Sequence, residues 1–225
     1  MAGVTEPWFR LRPEELERLR SGLSAHPTLH LIEEAGALFA RGSVPLLDGG
    51  REIDRFGLDI KTPPDYPDSL CRVFETAHRI PRDADRHVNP DGSLCLGVEE
   101  ALRIQCVDLR LPTLLDGPIR AFLLGTLEVE RGRPWPYGAW SHGDEGIRQF
   151  YAEHLQVADA ATLKRLLDSL RHMQPKLQKP CPCSSGKTLR DCHSQQIQQL
   201  RERVPSATLN RSLDLLLGRR PRPAR

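Results

Sequence analysis

Three thiols and an imidazole crowd into the fifteen residues KPCPCSSGKTLRDCH: Cys181 and Cys183 as a CxC pair, then eight residues, then Cys192 and His193. Four nitrogen and sulfur ligands of this kind suit a tetrahedral Zn2+ ion, and a structural site closes with all four. The CxC pair grips one side of the ion, Ser184 to Gly186 permit a chain reversal, and a short turn brings the Cys-His pair to the other side. Such a site contributes about 10 kcal/mol or more of folding energy, far more than so few apolar residues supply. A redox CxC pair is the rival reading, but it leaves Cys192 and His193 without a role.

A second chemistry-bearing stretch is RHVNPDGSLCLG, residues 86–97. Cys71 and Cys106 lie in apolar-polar runs and read as core thiols. Cys95 instead follows a turn-forming Asn-Pro-Asp-Gly, in an irregular segment of the type where function concentrates. An unperturbed thiol near pKa 8.5 is only about 3 percent thiolate at neutral pH, so a nucleophile here needs local help. His87 is the nearest candidate in sequence, and the Asn89 amide is a donor for a developing oxyanion. On the residues alone, a nucleophile and a buried structural cysteine both stay open.

The elements that must position these groups read as follows. Pro13 to Ala25 is a helix opened by proline, with Leu16, Leu19 and Leu23 on one face. LHLIEEAGALFARG, SVPLL, EIDRFGLDI and LCRVFETAH read as four consecutive strands, with Ile53, Phe56, Leu58 and Ile60 in imperfect alternation. PTLLDGPIRAFLLG is a helix that Gly117 and Pro118 bend or restart, with Leu114, Leu115, Ile119, Phe122 and Leu123 inward. IRQFYAEHLQ and DAATLKRLLDSLRHM are further helices, the second capped by Asp159. QPKLQKP reads as a linker, with a domain boundary between Met173 and Lys179.

Composition narrows the class. The 225 residues carry a net charge of +2, which argues against nucleic acid as the main partner, although the closing GRRPRPAR is locally basic. The early residues lack a secretory apolar core, and no run approaches the roughly 20 apolar residues that span a bilayer. A cytoplasmic protein with reduced cysteines and no membrane partner is expected.

Two resemblances add to this. The cysteine segment is similar to the SEC-C zinc motif, roughly CPCGSGKKYKKCH. All four ligand positions match, with Ser184 for a usual Gly and Leu189 for a usual aromatic residue. That motif acts as a docking module, so the likeness implies binding. The order helix, four-stranded antiparallel meander, Asp65-Tyr66-Pro67, irregular crossing segment, then Asn89, Gly92, Leu94, Cys95 and Leu96, then helices, resembles a ubiquitin-conjugating enzyme over residues 10–155. It is closer to bacterial relatives from antiphage and ubiquitination-like operons, which also write RHxN before GSLCL. The family's His-Pro-Asn triplet is absent: Asp85 stands at the ungapped position of its His and His87 at that of its Asn. No tryptophan follows shortly after Cys95, and no acidic residue is assignable to the lysine-activating position. WPYGAWSHGDEGIRQFY also resembles a feature of the bacterial relatives; Trp135, Tyr137 and Trp140 read as a cover over the sheet, and His142 as a minor candidate near the thiol.

The resemblance implies an α+β fold with a conjugating-enzyme-like catalytic domain at 1–157, a helical connector at 158–178, the zinc motif at 179–195, and a helical and basic tail at 196–225. It implies an enzyme in which Cys95 accepts a ubiquitin-like modifier as a thioester from a separate activating enzyme and passes it to an acceptor protein, with His87 or Asn89 as oxyanion donor and structural Zn2+ at Cys181, Cys183, Cys192 and His193. A non-catalytic modifier-binding adaptor is the alternative. A thiol hydrolase using Cys95 with His87 or His142 is the weakest reading.

Overall fold

The computed structural model describes residues 11–138, 140–171 and 177–218. The start of the expected linker, 174–176, and the basic residues past Gly218 lie outside the described residues. The chain is α+β, with a four-stranded antiparallel sheet in the order β1-β2-β3-β4 and helices before and after it. It divides into two compact units: residues 11–96 with Cys106–Gly138, and Gly97–Gln105 with residues 140–218.

In the first unit, α1 (Pro13–Leu23) has proline in its first turn. Its buried face is Glu15, Leu19 and Leu23; Leu16, expected inward, is only half-buried. The Glu15 carboxylate is matched by guanidinium groups, with Arg18 Nη1 at 2.7 Å and Arg110 Nη2 at 3.2 Å. A buried charge is retained only when paired in this way.

The sheet has the expected four strands, but two boundaries differ. LHLIEEAGALFARG is a hairpin and not one strand: β1 (Leu29–Glu34) turns through Ala35 and Gly36, both at positive φ, into β2 (Ala37–Asp48). A two-residue turn with both φ positive matches the twist of antiparallel strands. SVPLL then continues β2. Its Pro45 causes no loss, because β1 ends opposite Gly42 and alternation from Ser43, whose N–H points to the β1 side, turns the missing donor to the same unpaired side.

Along β3 (Arg51–Lys61), Phe56, Leu58 and Ile60 are buried in strict alternation. Ile53 breaks the pattern because it is the extra residue of a bulge: Leu46 pairs with Asp54 and Leu47 with Glu52, leaving Ile53 between them and exposed. β4 (Arg72–Glu75) completes the sheet.

The helix at 111–130 has a π turn, Leu115–Ile119, between α3 (Leu111–Leu114) and α4 (Arg120–Glu130). Pro118 lacks the N–H that would bond Leu114, and the wider turn absorbs the mismatch. Leu114, Leu115, Ile119, Phe122 and Leu123 are all buried, and α4 packs on β2. Tyr66 is buried after β3, and its hydroxyl accepts the Leu111 N–H at 2.8 Å, one of the donors a helix start leaves open.

The second unit holds α2 (Glu99–Gln105), α5 (Asp144–His154), α6 (Ala160–Arg171), α7 (Ser194–Arg203) and α8 (Ser206–Leu216). Helix α6 has Asp159 at its start, accepting the Thr162 N–H at 2.8 Å, and buries Leu163, Leu166, Leu167 and Leu170 as the spacing predicts. Those leucines share one core with Phe150, Tyr151, Cys181, Leu189, Ile197 and Leu213. The connector and the cysteine segment are therefore one packed body. Helix α2 belongs to it too: Glu99 reaches Arg211 and Thr208, each at 3.0 Å, and buried Glu100 accepts the Tyr151 hydroxyl at 3.2 Å. Residues on both sides of the expected boundaries at 157, 178 and 195 thus share the apolar core of this unit.

The three aromatics divide between the two units. Trp135 packs on Phe122 and against Gly125 of α4, Tyr137 is exposed beside it, and Trp140 lies in the other unit, stacking edge-on with Phe150 and donating to Glu153 at 2.9 Å.

Tyr66→Phe leaves the buried Leu111 N–H without its acceptor, and a loss of about 1–3 kcal/mol in denaturant titration is expected. Hydrogen bonding from Arg110 holds the Glu15 carboxyl below its ordinary value against the opposing effect of burial. A depressed carboxylate contributes stability that is present above about pH 4.5 and lost as pH falls through the lower folded value. Acid titration of Glu15→Gln should accordingly show a flatter decline below that pH than the parent.

Candidate functional site

The RHVNPDGSLCLG stretch closes into a small hairpin. Asp83 accepts the Arg86 N–H at 2.8 Å and caps a 3-10 turn, Ala84–Arg86, after which His87 takes a left-handed conformation at φ 55, ψ 40. Val88 and Leu94 then pair antiparallel, flanked by Asn89 N–H to Ser93 O at 2.8 Å and Cys95 N–H to His87 O at 2.7 Å. Gly92 closes the turn at φ 86, donating to Asn89 O at 2.8 Å, in a three-residue loop whose last position requires positive φ. Leu94 N–H bonds the Val73 carbonyl of β4 at 2.7 Å, so the ribbon is pinned to the sheet. An Arg72–Asp91 ion pair adds a second tie.

Cys95 is half-buried at the end of this ribbon, with its main chain bonded to that of His87. The His87 ring lies 4.4 Å from the Trp135 ring, tilted by 38°. The Asn89 amide donates to Ser93 Oγ at 3.0 Å, and Ser93 Oγ in turn donates to Asp91 at 2.6 Å. An amide nitrogen carries two hydrogens, and Ser93 takes one. Burial pushes the Cys71 thiol up to about 12, which removes it as a neutral-pH nucleophile. Cys106, expected in the core, is half-buried where α2 has ended.

In the second unit, the ligand atoms of Cys181, Cys183, Cys192 and His193 all lie within 4.8 Å of one another. These four residues form a cluster able to hold a metal ion. Cys181 Sγ is 3.1 Å from His193 Nδ1, and Cys183 Sγ is 3.4 Å from Cys192 Sγ. Tetrahedral bond lengths of zinc would separate such atoms by about 3.5–3.8 Å, so shifts of tenths of an ångström to about an ångström seat an ion.

The local fold explains the convergence. Pro180 pairs with Thr188 across a reversal that carries Ser184 at φ 63 and Gly186 at φ 78, while Cys181 N–H bonds Lys187 O at 2.8 Å. The Leu189 carbonyl then accepts N–H bonds from Cys192, His193 and Ser194 at 3.3, 3.2 and 3.0 Å, turning the chain into α7. Leu189 itself is buried in the core.

His193 Nε2 donates to the Leu155 carbonyl at 2.9 Å. A carbonyl can only accept, so Nε2 carries the proton and Nδ1 presents its lone pair to the sulfurs, the arrangement of metal-ligating histidines. Burial pushes Cys181 up to about 12. Burial acts the same way on Cys183, but hydrogen bonds from the Ser185 hydroxyl and Cys181 outweigh it and bring Cys183 down to about 6, favouring a thiolate.

The structure thus brings the four cluster residues together and places His87 beside Cys95 through the backbone. Sequence reasoning missed Val73 O and Leu155 O, since a carbonyl has no residue-type signal. It also missed the Trp135–His87 pairing, because 48 residues separate the two positions. No protein-family model, curated protein or solved structure matches this chain.

A left-handed backbone at Ser184 favours glycine. Ser184→Gly is expected to raise stability by up to about 1 kcal/mol with metal content unchanged, measured by thermal denaturation and metal analysis.

Proposed function

We propose that the first unit is a ubiquitin-conjugating-enzyme-like domain carrying an activated ubiquitin-like modifier on Cys95, and that the second unit holds a structural zinc ion. The observation that carries the first reading is the pinned hairpin: Leu94 is fixed to β4, and half-buried Cys95, one residue later, is tied by its backbone N–H to the His87 carbonyl. Its support is the agreement of this geometry with the helix, meander, Asp-Tyr-Pro and GSLCL order of the sequence. Conjugation in bacterial antiphage defence fits that resemblance.

In the proposed step, the Cys95 sulfur attacks the thioester carbonyl on a separate activating enzyme. The new C–S bond forms as the old one breaks, and the proton lost by Cys95 ends on the departing thiol. Exchange between thioesters is near thermoneutral, so positioning and an oxyanion donor matter more than strong acid-base chemistry. His87 and Asn89 are the donors proposed, and an amine or hydroxyl of an acceptor protein then takes the modifier.

The zinc reading rests on the closed Cys3His set and the Leu155 brace on His193. Four protein ligands leave no open position, which suits a structural ion and a docking module better than a catalytic centre.

Incubation with ATP, a verified cognate activating enzyme and its modifier should give a dithiothreitol-labile adduct on a non-reducing gel, absent from Cys95→Ala; a wild-type protein that stays uncharged would overturn the carrier reading. Protein purified without chelator should contain about one zinc ion per chain, as one Cys3His site requires. Less than half an equivalent would overturn the zinc reading.

A further inference from the structure

The metal cluster has two unequal halves. Cys181 and His193 are buried at 4% and 8% exposure, and His193 is braced by Leu155. Cys183 and Cys192 are only half-buried and sit 3.4 Å apart, sulfur to sulfur. The same two cysteines, with an edge of His193, line a solvent-open cavity of about 380 Å³ together with Asp159, Thr162 and Gln196; Cys181 does not reach it. Its volume is many times that of a water molecule, so a small polar oxidant has room to enter. Ser185 Oγ stands 3.3 Å from Cys192 Sγ and also hydrogen-bonds Cys183, where its hydroxyl is a donor for an oxygen-bearing intermediate.

We propose that Cys183 and Cys192 are the oxidisable edge of the metal site: a hydroperoxide entering this cavity joins them as a disulfide and releases the ion. This rests on the metal reading above. In the balanced step, the Cys183 thiolate attacks one peroxide oxygen, the O–O bond breaks, and the departing hydroxide is protonated to water, leaving a sulfenic acid. The Cys192 thiolate then attacks that sulfur, and the S–O bond breaks to release a second water. Two sulfurs lose two electrons in total, hydrogen peroxide gains them, and two protons come from solvent. The ion itself changes no oxidation state. It loses two of four ligands, and Cys181 with His193 forms too small a set to retain it.

Selectivity follows from access. Cys181 keeps only 4% of its surface exposed and is not among the residues lining the cavity, whereas Cys183 and Cys192 are half-buried and line it. Reversal needs only a thiol reductant and the same ion.

The test uses the full chain carrying Cys95→Ala and Cys106→Ala, which removes the two half-buried thiols of the other unit as competing targets. Metal content is measured first and reports on the metal reading by itself. Hydrogen peroxide is then added, released zinc is followed with a chromophoric chelator, and disulfides are mapped by non-reducing peptide mass spectrometry. The expected result is one ion released per disulfide formed, a Cys183–Cys192 linkage, and recovery of metal binding after dithiothreitol and zinc. In Cys192→Ser peroxide should no longer yield a bond to Cys183. A disulfide that maps to Cys181, oxidation to sulfinic acid without any disulfide, or zinc retained under peroxide would each overturn the proposal. If the purified chain holds no metal, the disulfide map still decides between the Cys183–Cys192 pair and the others.

Discussion

His193 is held from both sides, and the second unit is organised by that constraint. Its Nε2–H is fixed by the Leu155 carbonyl at the end of α5, and its Nδ1 faces Cys181. Its own N–H joins two others on the Leu189 carbonyl, which starts α7. One imidazole therefore links a helix end, the cysteine reversal and a helix start. Leu189, Ile197 and Cys181 pack in the same core as the α6 leucines, so ligand geometry and apolar burial support each other. A short segment with few apolar residues acquires a fixed shape because polar groups converge on it.

The first unit is governed by different means. A regular sheet supplies a rigid edge, and β4 offers Val73 O to the N–H of Leu94. That bond fixes the position of a turn-rich ribbon which has little core of its own. Elsewhere, buried polar groups tie distant segments: Glu15 joins α1 to Arg110, and Tyr66 joins the segment after β3 to the start of α3. Each group would be costly unpaired, so each contact also specifies one arrangement.

The chain interleaves the two units. Within two residues of Cys95 it leaves the first unit at Gly97, builds α2 among the helices of the second, and returns at Cys106. The domain reading from sequence followed composition and looked for a boundary at a proline- and lysine-rich linker. Helix α2 carries no such mark. Glu99 and Glu100 form an acidic first turn of a common kind, and only their partners Arg211, Thr208 and Tyr151, more than fifty residues away in sequence, reveal where the helix belongs.

Local chemistry was legible in the sequence. The CxC and Cys-His spacing identified the four residues of a cluster able to hold a metal ion, because ligand type and chain reversal are both short-range properties. The Asp159 cap, the α6 leucine spacing, the bend at Gly117-Pro118 and the turn before Cys95 were readable for the same reason. Alternation placed Phe56, Leu58 and Ile60 inward but misread Ile53, since a bulge depends on the partner strand. Leu16 gave way to Glu15 because a carboxylate can be buried only where guanidinium groups meet it, and one of these comes from Arg110, far along the chain. The Leu155 carbonyl, the Val73 carbonyl and Trp135 against His87 were decided by tertiary structure alone. Backbone acceptors are present at every residue, and only folding selects which of them comes within hydrogen-bonding distance of a given side chain or turn.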